Sequence, residues 1–198
     1  MNKKLAAALS GGALLVLTLS GCSDDSDGDS KVNDWAKKVC DQVQPQLRKI
    51  ANANTSIQQQ TADNSKPADV QKTDSAAFQQ ISQAYKALGA AVQSAGAPPV
   101  DDGETTQKKA VAELNTSSAA YANLQKKVDA LDTTDQAKFA DGLKGVADEL
   151  KKISNNGDQA LRKLQSGDLG KAMAKQEGCQ KPNGSSAPTT VRPSAGKA

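Results

Sequence analysis

Histidine is absent from all 198 residues. Without it, Ser-His-Asp and Cys-His catalysis are excluded, as are the commonest zinc ligands and the Glu-x-x-His ligands of di-iron bundles. Aromatic residues are scarce: one Trp, two Tyr and two Phe, 3% of the chain. Bases have no stacking platform, and paired carboxylates of the kind that cleave glycans have no aromatic groove to hold a sugar. The neighbouring acids Asp101-Asp102 and Asp148-Glu149 do not point the same way on a helix. Gly-rich phosphate loops are missing. Formal net charge is only +3, so there is no electrostatic case for nucleic acid. No catalytic residue, metal ligand or cofactor is expected, and the chain is read as non-enzymatic.

Long apolar runs are limited to one, near the start. Lys3 and Lys4 lead into Leu5 to Leu19, a stretch broken only by small residues, followed by Ser20, Gly21 and Cys22. A charged start, an apolar middle and small residues at the cut make a secretory signal. The run is too short for the ~20 residues a membrane-spanning helix needs. Leu19-Ser20-Gly21-Cys22 resembles the lipobox of bacterial lipoproteins. That resemblance covers the first two dozen residues. It implies that a diacylglyceryl group alkylates the Cys22 thiol and that a peptidase cuts just before it. Residues 1–21 would then be removed, and Cys22 would tether the rest to the outer side of the cell membrane. The Ala-, Asp- and Ser-rich style of the remainder resembles the small secreted lipoproteins of high-GC Gram-positive bacteria.

Omitting residues 1–21 leaves 177 of the 198, enough for one domain with a tether and a tail. Lys3 and Lys4 are two of the 25 basic residues, and none of the 22 acids precedes Cys22, so the charge beyond it is +1. Residues 22–30 read as the lipidated cysteine and an acidic flexible spacer. Asp25, Asp27 and Asp29 have EF-hand spacing, but Ser30 and Ala36 stand where the loop needs Gly and Glu. Calcium binding is excluded there. Residues 31–180 form the domain, and 181–198, made of Pro, Ser, Thr, Gly and Lys, read as a disordered tail.

Setting Cys22 aside for lipid leaves Cys40 and Cys179, an even pair in a compartment that permits disulfides. A bond between them closes almost the whole domain; two separate buried thiols are the alternative.

Four apolar stripes run at helical spacing. The first is Val32, Trp35, Val39, Val43, Leu47, Ile50, Asn54 and Ile57. Pro45 lies inside it and predicts a kink, with two shorter helices as the alternative. The second helix is expected over 67–94, on Val70, Ala77, Ile81, Ala84, Leu88 and Ala91, widened by Phe78, Tyr85 and Val92. Ala95-Gly96-Ala97-Pro98-Pro99 stops it. The third carries Val111, Leu114, Ser118, Tyr121, Leu124, Val128 and Leu131, with Asp101 and Glu104 as a capping box. The fourth carries Phe139, Leu143, Val146, Leu150, Ile153, Leu161 and Leu164, with Thr133 and Gln136 as its capping box and Gly157 as a bend or break. A short last helix on Leu169 and Met173 ends at Gly178.

The expectation is an all-α fold: an antiparallel, up-down-up-down four-helix bundle with a kinked first helix, a short C-terminal helix and one disulfide. In that topology the start of the first helix lies beside the end of the last, which brings Cys40 and Cys179 to one end. Trp35 belongs to the same end and reads as a core plug; the Pro98-Pro99 loop, set with the far end, is left unplaced. The paired lysines at 37–38, 108–109, 126–127 and 151–152 fall on outward faces. Asn54-Thr55-Ser56 and Asn115-Thr116-Ser117 match a glycosylation pattern that bacterial lipoproteins rarely use.

The expected function is that of a membrane-tethered helical module that binds or scaffolds an envelope protein or polymer. The alternative is a carrier of a small apolar ligand or lipid in the bundle core. Apart from Cys22, Cys40 and Cys179, no residue is singled out for a binding role.

Overall fold

The protein is described by a computed structural model covering residues 24–62, 65–156 and 159–180. It is all-α. In chain order the elements are α1 (Asp24–Ala62), α2 (Pro67–Ala95), α3 (Gly103–Asp129), α4 (Gln136–Asn156), α5 (Gln159–Leu164), α6 (Gly167–Ala174) and a 3-10 turn (Glu177–Cys179). No strand occurs among the described residues.

α1 is 39 residues long and continuous through Pro45, a length of about 58 Å at 1.5 Å per residue. The two-helix alternative is therefore set aside. α1 also begins seven residues before the expected start at Lys31, so residues 24–30 are helical where composition predicted a flexible spacer. Aspartates in a first turn suit the positive end of the helix dipole, and the Asn33 side-chain amide donates to the Asp29 carbonyl at 2.7 Å.

Named contacts fix the direction of each neighbour. Trp35 and Lys38 of α1 reach Gly96 and Ser94 at the end of α2, while Thr73 near the start of α2 meets Gln60 near the end of α1. α1 and α2 are antiparallel. Gln107 of α3 reaches Val92 and Gln93, Ser82 meets Ser118, and Gln71 reaches Val128 and Leu131. α2 and α3 are antiparallel as well. α4 turns back along α3, bringing Gly142 against Leu131 and Lys127 into an ion pair with Glu149.

One helix does not fill the fourth position. α4 packs on α3, whereas α6 and the 3-10 turn pack on α1, and α5 links the two by contacting α3 and α6. Two core clusters follow from this division. One gathers Val32, Trp35, Ala36 and Val39 of α1 with Leu88, Val92, Ala110, Leu114, Leu164, Leu169 and Ala172. The other gathers Ala53, Ala77, Phe78, Ile81, Leu124, Val128 and Val146. Small residues are among the most deeply buried: Ala36, Ala84 and Ala110 are fully buried. The break expected at Gly157 falls on residues 157–158, outside the described residues, between the end of α4 and the start of α5.

Both expected capping boxes are corrected. At α3 the N-cap residue is Asp102, in the left-handed conformation and without a side-chain cap, so Asp101 does not serve. At α4 the cap is Asp135, whose Oδ1 accepts from the backbone N–H groups of Ala137 and Lys138 at 3.1 Å each. Asp132 has already accepted the Thr134 N–H at 2.9 Å, forming the turn that delivers Asp135. Thr133 plays no part because a carboxylate two residues later is better placed.

Candidate functional site

The chemistry-bearing residues converge on the end of the bundle where α1 begins. Cys40 is fully buried on α1, and the 3-10 turn brings Cys179 to it across 139 residues of sequence, with Cα atoms 4.9 Å apart. That spacing lies within the range a disulfide requires, and the two sulfurs are bonded. Gly178 is what permits the approach. A Cβ at that position would fall on the Cys40 carbonyl, so only glycine lets the turn lie this close to the α1 backbone.

Trp35 is 6% exposed. Its indole N–H donates to the Gly96 carbonyl at 2.9 Å, and its ring sits in the cluster with Leu169 and Ala172. It is a core plug with a satisfied polar edge. The Pro98-Pro99 loop therefore belongs to this same end, not the far one. Gly96 has φ +83°, a conformation that glycine adopts without strain; its N–H donates to Gln93 O at 3.2 Å, and the carbonyls of Val92 and Ser94 are left to other partners. α1 and α3 then satisfy them: Lys38 Nζ donates to Ser94 O at 2.9 Å, and Gln107 Nε2 to Val92 O at 3.1 Å. At the opposite end Gln71 does the same for α3, donating to the Val128 and Leu131 carbonyls at 2.9 Å each. Side chains from neighbouring helices thus add hydrogen bonds to C-terminal carbonyls, among them Val128 O, which also accepts the Leu131 N–H at 3.0 Å.

The lipobox residues Leu19, Ser20, Gly21 and Cys22 lie outside the described residues, as do Ser23 of the spacer and the tail from 181. α1 starts two residues after Cys22.

Two clefts mark the surface. One, of about 490 Å³, lies between α1 and α2 toward the far end, floored by Ala53 and Ala77 and edged by Gln60, Asp69, Lys72 and Thr73. The other, of about 380 Å³, lies between α3 and α4 and holds Glu113, Glu149 and Lys152 beside Ala120 and Ile153. Sequence reasoning missed that Glu113 and Glu149 line one cleft, because the two stand on helices whose relative register no local pattern reveals. Glu149 is already ion-paired with Lys127. No cluster of three or more His, Cys, Asp or Glu able to hold a metal occurs among the described residues, and no described helix is long and apolar enough to cross a membrane.

Asp74 was also missed. It is 8% exposed on the inward face of α2, and burial pushes its carboxyl up to about 6. The stripe passes from Val70 to Ala77 without an apolar residue at 74, and that gap was the available signal. Tyr85 and Tyr121 stack with centroids 5.4 Å apart. Burial and the neighbouring Tyr85 push the Tyr121 hydroxyl well above its ordinary value, as expected of packing residues. The lysine pairs are exposed, and several are engaged: Lys37 with Asp41 at 2.8 Å and Lys108 with Glu104 at 3.4 Å.

No protein-family model, curated protein or solved structure matches this chain.

Proposed function

We propose that the protein is a lipid-anchored, extracytoplasmic and non-enzymatic helical module that binds or scaffolds another component of the bacterial cell envelope. The observation that carries this reading is the cysteine arrangement. Of the three cysteines, Cys40 and Cys179 are bonded to each other. Cys22 is thereby left for lipid, directly after Leu19-Ser20-Gly21 and an apolar signal. A disulfide also belongs outside the reducing cytosol.

The absence of histidine and the distribution of acids support a binding role over catalysis. Both clefts open onto solvent and carry charged side chains, which favours surface recognition over carriage of an apolar ligand in the core. The partner is an envelope protein or polymer, with the membrane engaged through the lipid on Cys22 and nucleic acid excluded by charge.

Intact mass spectrometry of protein extracted from its own membranes tests the anchor. The expected species begins at Cys22 and carries the added mass of a diacylglyceryl group. A mature chain without lipid would contradict the proposal. Crosslinking in intact cells, followed by purification through the C-terminus, tests the partner.

A further inference from the structure

We infer that α6 and the 3-10 turn form a redox-latched clasp over the first half of α1, separable from the α1–α2–α3 body. Bonded through Cys40–Cys179, the clasp covers Val32, Trp35, Ala36 and Val39. Reduced, it lifts away and uncovers them.

Three features of the segment carry this. First, its own hold is slight. α6 has 8 residues and buries only Leu169 and Ala172, and the 3-10 turn has 3 residues and buries only Gly178. Helices this short do not persist without tertiary contacts. Second, the body needs nothing from it to keep its direction: Trp35, Lys38, Gln71, Ser82 and Gln107 join α1, α2 and α3 to one another. Third, the two sulfurs are unequally placed. Cys40 is fully buried, whereas Cys179 is half-buried at the edge of the turn, so Cys179 is the sulfur open to attack.

The step needs a dithiol reductant. Its thiolate attacks Cys179 Sγ, the Cys40–Cys179 bond breaks, and the Cys40 thiolate leaves and takes a proton. The second thiol then resolves the mixed disulfide, freeing Cys179 as a thiol, while the reductant is oxidised to its own disulfide.

Trp35 is the single tryptophan and lies under the clasp, so it reports opening directly. The test uses the full chain, purified oxidised and then treated with a dithiol until the thiol count has risen by two. Acrylamide quenching of Trp35 should rise several-fold, with loss of helical circular dichroism confined to α6 and the turn. The Cys40→Ser/Cys179→Ser variant should reproduce both readings without reductant. Gly178→Ala, which crowds the turn against the Cys40 carbonyl, should speed reduction several-fold. Unchanged quenching after complete reduction would show that the bond is not the latch. Collapse of the whole helical signal would show that the clasp is not separable. An unchanged reduction rate in Gly178→Ala would remove the role given to the close approach. None of these readings depends on whether Cys22 carries lipid.

Discussion

The indole N–H of Trp35 donates to the carbonyl of Gly96 at 2.9 Å, across 61 residues of sequence. This bond ties the start of α1 to the loop that ends α2. It explains why a chain with so few aromatics places its one tryptophan here, at the centre of the end that the disulfide closes. Trp35→Phe keeps most of the packing and leaves the carbonyl without its donor, a loss of about 1 kcal/mol. Trp35→Ala also opens a cavity and costs about 3–5 kcal/mol. Urea unfolding measures both. An unchanged stability in Trp35→Phe would show that the hydrogen bond contributes nothing.

Asp74 makes stability pH-dependent in a defined direction. Its folded pKa is raised from 3.8 to about 6, so the folded state holds the proton more tightly than the unfolded chain does. The stabilisation is therefore complete below about pH 4 and is lost as pH rises through about 6. At 1.36 kcal/mol per unit, the loss is on the order of 3 kcal/mol. Asp74→Asn keeps the shape without the charge, and its denaturant midpoint should stay flat where the wild type declines between pH 4 and 7. Parallel profiles for the two proteins would contradict the assignment.

The Cys40–Cys179 bond closes a loop spanning a sequence separation of 139. In the chain-entropy account this contributes about 4–5 kcal/mol. Unreduced intact mass should be two hydrogen atoms lower than reduced mass, and Cys40→Ser/Cys179→Ser should lower unfolding free energy by about 4–5 kcal/mol. Alkylation of both Cys40 and Cys179 in the folded protein without reductant would contradict it.

Pro45 lies inside an unbroken α1, where it withholds an N–H from the Asp41 carbonyl. Pro45→Ala supplies that donor and should raise the thermal midpoint, by up to about 3 kcal/mol in free energy. A lowered midpoint would mean that the proline shapes α1 for the packing around it.

Much of the fold was legible because burial follows helical period. Val39, Ile81, Leu124 and Val128 are fully buried stripe positions, and each lies where the spacing placed it. The all-α class and the meeting of Cys40 with Cys179 came from stripes, breakers and the pair of cysteines left once Cys22 is set aside for lipid. What local pattern does not encode is register between helices. That is why the division of the fourth position between α4 and α6 and the cleft shared by Glu113 and Glu149 were not readable, whereas the Pro98-Pro99 loop's place follows from the antiparallel order itself. Composition misled at residues 24–30, since aspartates that suit a spacer also suit a helix N-terminus. Polarity hid Asp74 for a similar reason: a carboxylate on the inward face interrupts the stripe, and a pattern built on apolar residues steps over it.

Membrane retention of Cys22→Ala, set beside the wild type in fractionated cells, tests the lipid anchor most directly. The account predicts that the wild type partitions with membranes and detergent. The variant should leave the membrane-bound fraction or become mislocalised, with its helical circular dichroism and thermal midpoint unchanged. Undiminished membrane retention of a folded Cys22→Ala protein would contradict it.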